Sequence, residues 1–239
     1  KSDGGGGGRG RGGFGGGGGP AVSAHKGLNS ATWNPQLPSP FSVPPRIVMW
    51  GGGGGPMKAA TGVYTVKVSM GSWSQTQTFR LNGDPRLTPP VTDAESQAQL
   101  KMAQEVGGWA KQLYDQLAKI RDAKTQAAQI AEKTPALAGA AKTFKDNAEK
   151  VEGDMTQLRG EANQDALNFP GRMDNQVTAL YGNIVGGDRK LPSSVTERYA
   201  DLKPQFEDLM KRAAAVTTTE VATFNAAATR AGATAITIK

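Results

Sequence analysis

Residues 137–162 read LAGAAKTFKDNAEKVEGDMTQLRGEA. Apolar side chains fall at Leu137, Ala141, Phe144, Ala148, Val151, Met155, Leu158 and Ala162, in steps that alternate four and three. That spacing keeps one stripe on one side of a helix, as packing in a bundle requires. The charged residues lie between. Glu149 stands four residues after Lys145, so Asp146, Glu149, Glu152 and Asp154 read as solvated ion-pair faces.

The same period extends to both sides. Val106, Ala110, Leu113, Leu117, Ile120, Ala127 and Ile130 predict a long helix that Thr92 or Asp93 can cap and Pro135 ends. After a break at Asn168-Phe169-Pro170-Gly171, a shorter helix carries Met173, Val177, Leu180, Tyr181 and Ile184 and stops at Gly186-Gly187. Another, which Ser193 or Ser194 can cap, follows Val195, Tyr199, Leu202, Phe206, Leu209, Ala213 and Val216, with Glu197 spaced for a capping box on Ser194. Pro204 inside it predicts a kink. Thr217-Thr218-Thr219 loosens its end before Val221, Phe224 and Ala228. Residues 91–234 therefore predict an antiparallel bundle of about four helices. Residues 235–239, with Ile236 and Ile238, read as a β-like tail that could add to a sheet edge.

Residues 20–90 change to a period of two. Leu28 to Trp33 and Arg46 to Trp50 read as short strands, separated by the proline-rich stretch from Pro38 to Pro45. Val63 to Met70, a turn at Gly71-Ser72 and Trp73 to Leu81 predict a hairpin. Tyr64, Val66, Val68 and Met70 share one face, expected to be buried, and Trp33 and Trp50 supply bulk for a core. The expected fold class is α+β and multidomain: a partial immunoglobulin-like β-sandwich over residues 20–90, then the helical bundle. Residues 1–19 form a Gly-rich flexible loop. Arg9, Arg11 and Phe14 within it resemble an RNA-binding RGG tract, but one short tract favours a plain loop, and nucleic acid is not an expected partner.

Charge divides the chain in the same place. Of 28 Lys and Arg and 21 Asp and Glu, the first 90 residues hold nine and two. They carry the whole net charge of +7, and the helical part is neutral. The chain has no cysteine, and His25 is its single histidine, read as a surface loop residue. Those two counts remove the common zinc sites and leave a Ser-His-Asp triad only His25 to work with. Gly-x-Ser-x-Gly, a P-loop lysine and His-Glu-x-x-His are all missing, so no catalytic, cofactor or metal residue is expected. Asp188 alone in a glycine turn is a poor calcium site. Trp73 and Trp109 are the candidate interaction aromatics, and Asp84 with Arg86 the candidate brace between the two halves. No apolar run of about 18 residues is present to span a membrane. The opening Lys1-Ser2-Asp3 reads as the start of a fragment of something larger.

Several front segments, in order, carry a family resemblance: Gly27-Leu28-Asn29-Ser30-Ala31-Thr32-Trp33-Asn34, Met49-Trp50-Gly51, Gly55-Pro56, Thr61-Gly62-Val63-Tyr64-Thr65-Val66 and Asp84-Pro85-Arg86. Over roughly residues 20–239 the chain resembles the C-terminal region of large bacterial secreted proteins with sortilin-like or bacterial-neuraminidase-repeat (BNR) β-propellers. Many of these bear the label glycosyl hydrolase. Ser30-Ala31 departs from that family's basic-aromatic pair, and Thr61 from its usual proline. The resemblance implies a hook-cap-type immunoglobulin-like β-domain followed by a helical bundle, both without catalytic residues. It implies a secreted, periplasmic or cell-surface location, and the protein's own N-terminal β-propeller as partner. The expected role is structural: packing on the propeller, or assembly with a second copy. Two alternatives stand beside it. One is an accessory region of a glycan-acting hydrolase, and the other is polyanion binding through the basic front.

Overall fold

The computed structural model describes residues 25–44, 54–159 and 168–238. The chain is α+β and mostly helical. Its axis is α1, Asp93–Lys133, 41 residues and about 60 Å long. A capping box starts it: the Glu95 amide donates to Thr92 Oγ1, and the Thr92 amide to Glu95 Oε2. Pro135 opens a short 3₁₀ turn, Pro135–Leu137, which hands over to α2, Ala138–Met155. Next come α3, Met173–Val185, and α4, Ser193–Ala215. The last helix runs without a break through a π turn, Val216–Glu220, into α5, Val221–Arg230. The threonine run is thus where the helix widens, not where it ends.

The four helices form three rows, not four. Arg121 and Lys124 of α1 meet Glu152 of α2, whereas Gln99, nearer the start of α1, meets Ile184 and Gly187 at the end of α3. The helices α2 and α3 therefore lie one after the other along α1, both antiparallel to it. Tyr199, Ala213 and Asn225 meet α1 or the tail at progressively later positions, so α4–α5 runs parallel to α1. Two short helices plus a link span about the length of each long one, which is why three rows close the core. Val106, Leu113, Leu117, Ile120, Val177, Ile184, Leu202 and Leu209 are almost fully enclosed within it.

The front segment is strapped onto the bundle. Strands β1, Gln36–Leu37, and β2, Met57–Lys58, pair antiparallel. Phe41 and Met57 enter the helical core, and the Phe41 ring meets Tyr181 edge-on at 5.1 Å. The Tyr181 hydroxyl donates to the Gly55 carbonyl at 2.7 Å. Gly107 makes this approach possible, because a Cβ there would stand 2.1 Å from Pro40 Cγ. Gly107→Ala should strengthen the helix by about 1 kcal/mol while displacing Pro40, at an overpacking cost of about 1–3 kcal/mol. The expected result is a melting temperature lowered by at most about 8 °C, with faster hydrogen exchange over residues 36–43. Unchanged protection there would contradict the packing.

Several expectations are corrected. The second helix ends at Met155, not Ala162. Thr156 turns extended and Leu158 is 45% exposed, because the chain must leave α2 to reach α3 on the same side of α1. The proposed capping box at Ser194 is not formed, since α4 begins at Ser193 directly after Pro192, with no side-chain cap. Leu28 to Trp33 is no strand, and Leu28 is fully exposed. Among the described residues the tail joins no sheet. Its backbone pairs instead with two side-chain amides: Asn225 exchanges two hydrogen bonds with Ile236, and Gln126 two with Thr237, which seats Ile236 in the core. Arg46 to Trp50, and Arg9, Arg11 and Phe14, lie outside the described residues.

Candidate interaction surface

Strands β3, Gly62–Met70, and β4, Trp73–Leu81, form the expected hairpin, in register from Gly62 opposite Leu81 to Met70 opposite Trp73. Gly71 takes the left-handed φ of +57° that the two-residue turn demands. Among the described residues no third strand joins this sheet, and no second layer covers it. The expected burial is therefore corrected. Val66, Val68, Met70 and Trp73 are 45, 54, 66 and 51% exposed on the face that also carries Tyr64, Gln75, Gln77 and Phe79. Only the root of that face is covered. The Trp33 ring lies 5.6 Å from Tyr64 and 5.8 Å from Phe79.

That root is pinned to the start of α1. Arg80 grips Asp93 through both carboxylate oxygens, and the Thr61 hydroxyl donates to Asp93 Oδ1 at 2.7 Å. Thr61 and Arg80 together hold the Asp93 carboxyl below its ordinary range. The Thr61 amide donates to Ser96 Oγ. These residues, not Asp84 and Arg86, tie the halves together. Asp84 and Arg86 bond to each other across one turn, and Arg86 is largely exposed. Trp109 is likewise no surface residue. It is 7% exposed, with its ring stacked against both Tyr199 and Phe206 at 5.2 Å.

The second concentration of polar chemistry lies inside the bundle, and sequence reading missed it. Glu152 of α2 is buried and accepts from Arg121 Nε and Lys124 Nζ of α1, both at 2.7 Å. Burial raises its carboxyl, but Lys124 and then Arg121 outweigh that, so the net shift is downward. Close by, Asp174 is 1% exposed. Its Oδ1 accepts from the Asn175 amide, while Oδ2 has no hydrogen-bond partner. Burial pushes this carboxyl up, opposed by the nearby Thr156 hydroxyl, which lies outside hydrogen-bond geometry. Burial, and then the charge of Asp174, also push the Tyr114 phenol up.

These groups brace the helices. The groove of about 570 Å³ between α3 and α4 is lined by Arg172, Met173, Asp208 and Arg212, not by Glu152 or Asp174. Arg212 there is held by Asp154 and Asp208. A cleft of about 210 Å³ at the hairpin root contains Lys58 and Asp188, which pair with each other at 2.9 Å. Among the described residues no three His, Cys, Asp or Glu side chains are grouped to hold a metal. His25 is exposed, in a loop closed by Asn29. No described helix is long and apolar enough to cross a membrane.

Asp174→Asn places an amide where the unpaired oxygen stands and removes a buried charge. A raised folded-state pKa adds stability below the ordinary carboxylate range and loses it as pH rises. The substitution should therefore stabilise the protein by about 1–2 kcal/mol at pH 7, with the gain fading toward pH 3. Urea unfolding at both pH values measures this, and destabilisation at pH 7 would contradict it. Compared with known proteins, the chain matches no family model, no curated protein and no solved structure.

Proposed function

We propose that the chain is a non-catalytic structural and interaction region of a large secreted or cell-envelope β-propeller protein. The hairpin is its docking element and the helical bundle the clasp that presents it. One observation supports this above the rest: two nine-residue strands hold an aromatic and aliphatic face in solvent, although an isolated hairpin is only marginally stable. In this reading β3 and β4 are two strands of an immunoglobulin-like layer completed by the rest of the propeller protein. The ion pairs at Asp93 fix the angle at which the bundle offers them. Antibody raised against α1 and applied to extracts of the source cells and their medium tests the reading. A polypeptide far larger than 25.0 kDa is expected, and a single species of 25.0 kDa would overturn it.

A further inference from the structure

The edge of the hairpin that no described strand covers reads the same, in kind, in both directions. Strand β4 carries Trp73-Ser74-Gln75-Thr76-Gln77-Thr78-Phe79. About Thr76 the sequence is symmetric in kind: amide opposite amide at 75 and 77, hydroxyl opposite hydroxyl at 74 and 78, aromatic opposite aromatic at 73 and 79. No charge falls within the seven residues. Such a strand can meet a second copy of itself antiparallel, about a two-fold axis through Thr76, with every side chain opposite its own kind.

The backbone supports the same axis. In a hairpin closed by a two-residue turn, the closing pair Met70 and Trp73 is hydrogen-bonded. Alternation along the ladder then turns the amide and carbonyl of Ser74, Thr76 and Thr78 away from β3, toward the open edge. Pairing on Thr76 would use those groups. Trp73 and Phe79 of opposite copies would fall at the close, non-bonded positions, where side chains approach most nearly. Odd residues meet odd residues, so the two exposed apolar faces would join on one side of a four-stranded sheet. The edge also lacks the usual protections against pairing, since it holds no proline, no lysine and no inward charge over these residues.

We infer that β4 is a self-association edge, through which two copies of the chain join their hairpins into one antiparallel sheet centred on Thr76. This rests on the reading of the hairpin as the docking element and names one of its partners. The apolar face and the β3 edge stay available to the remainder of the β-layer.

Across the seam residue 76 would face its own counterpart, while Lys67 stands opposite it on β3 in both variants, so the test lies in comparing the two variants with their mixture. Sedimentation equilibrium of the full chain should show a species of twice 25.0 kDa growing with concentration. Thr76→Lys and Thr76→Glu, each alone, should raise the dissociation constant by about fivefold, through like charges directly opposed. A one-to-one mixture of the two variants should recover the wild-type constant. Both variants keep the hydrogen bonds to β3, and unchanged circular dichroism checks that they fold. A wild-type chain that stays at 25.0 kDa at every concentration overturns the inference. So does a dimer indifferent to charge at position 76, including one formed through another surface. Either failure leaves the proposed function standing, because that reading depends on the size of the native polypeptide.

Discussion

Trp109→Ala should lower the free energy of unfolding by about 4 kcal/mol. The side chain is buried between α1 and α4, sandwiched by the nearly parallel rings of Tyr199 and Phe206. Its removal loses the transfer of a large aromatic surface, the ring contacts and the filling of a space that two rigid neighbours cannot close. A domain of this kind has about 5–15 kcal/mol in all, so the loss is a large share of its stability. Trp109→Phe keeps one ring in the stack and should cost about half as much. Urea unfolding followed by far-ultraviolet circular dichroism measures both. A cost below about 1 kcal/mol for the alanine variant would mean that α4 is held against α1 by something other than this stack.

Glu152→Ala should cost about 3 kcal/mol at neutral pH, because it leaves Arg121 and Lys124 without the carboxylate they converge on. Lys124 keeps Glu149 at 3.0 Å, which holds the loss toward the lower end. The sign with pH follows from the downward shift of Glu152. A lowered folded-state pKa gives stability that is present above the ordinary glutamate value of about 4.3 and fades as pH falls through the folded value. The gap between wild type and Glu152→Gln, an isosteric change that removes only the charge, should therefore be about 2 kcal/mol at pH 7 and shrink toward pH 3. Asp174→Asn should move in the opposite sense at pH 7. If Glu152→Gln matched wild type at pH 7, the buried ion pair would contribute no net stability.

What the sequence disclosed was local. The cap at Thr92, the stop at Pro135 and the hairpin turn at Gly71-Ser72 each depend on residues a few positions apart, and the structure has all three, with Thr92 and not Asp93 as the cap and Glu95 completing a box that the spacing had not announced. Whether a face is covered depends on distant chain, so Val66 and Val68 promised burial that no other described element supplies. Three buried residues did leave a trace. Trp109 lies three residues after Val106 and four before Leu113, on the stripe itself. Glu152 lies four after Ala148 and three before Met155, and a carboxylate on an apolar stripe signals a partner from a facing helix. Asp174 likewise precedes Val177 by three. The three-row arrangement was not legible, because periodicity reports which face of a helix is buried and not which neighbours share it. The hold on the tail was hidden for a related reason: Gln126 and Asn225 stand in for a strand, and no sequence period marks that.

Hydrogen exchange on the dilute, monomeric chain, read peptide by peptide, separates the stability of the bundle from that of the hairpin. The bundle is stable by itself, and the hairpin is unsupported until it finds a partner. Amides of α1 from Val106 to Ile130 should therefore exchange at least about a hundredfold more slowly than those of β3 and β4. Hairpin amides protected as strongly as the α1 core in the monomer would contradict it.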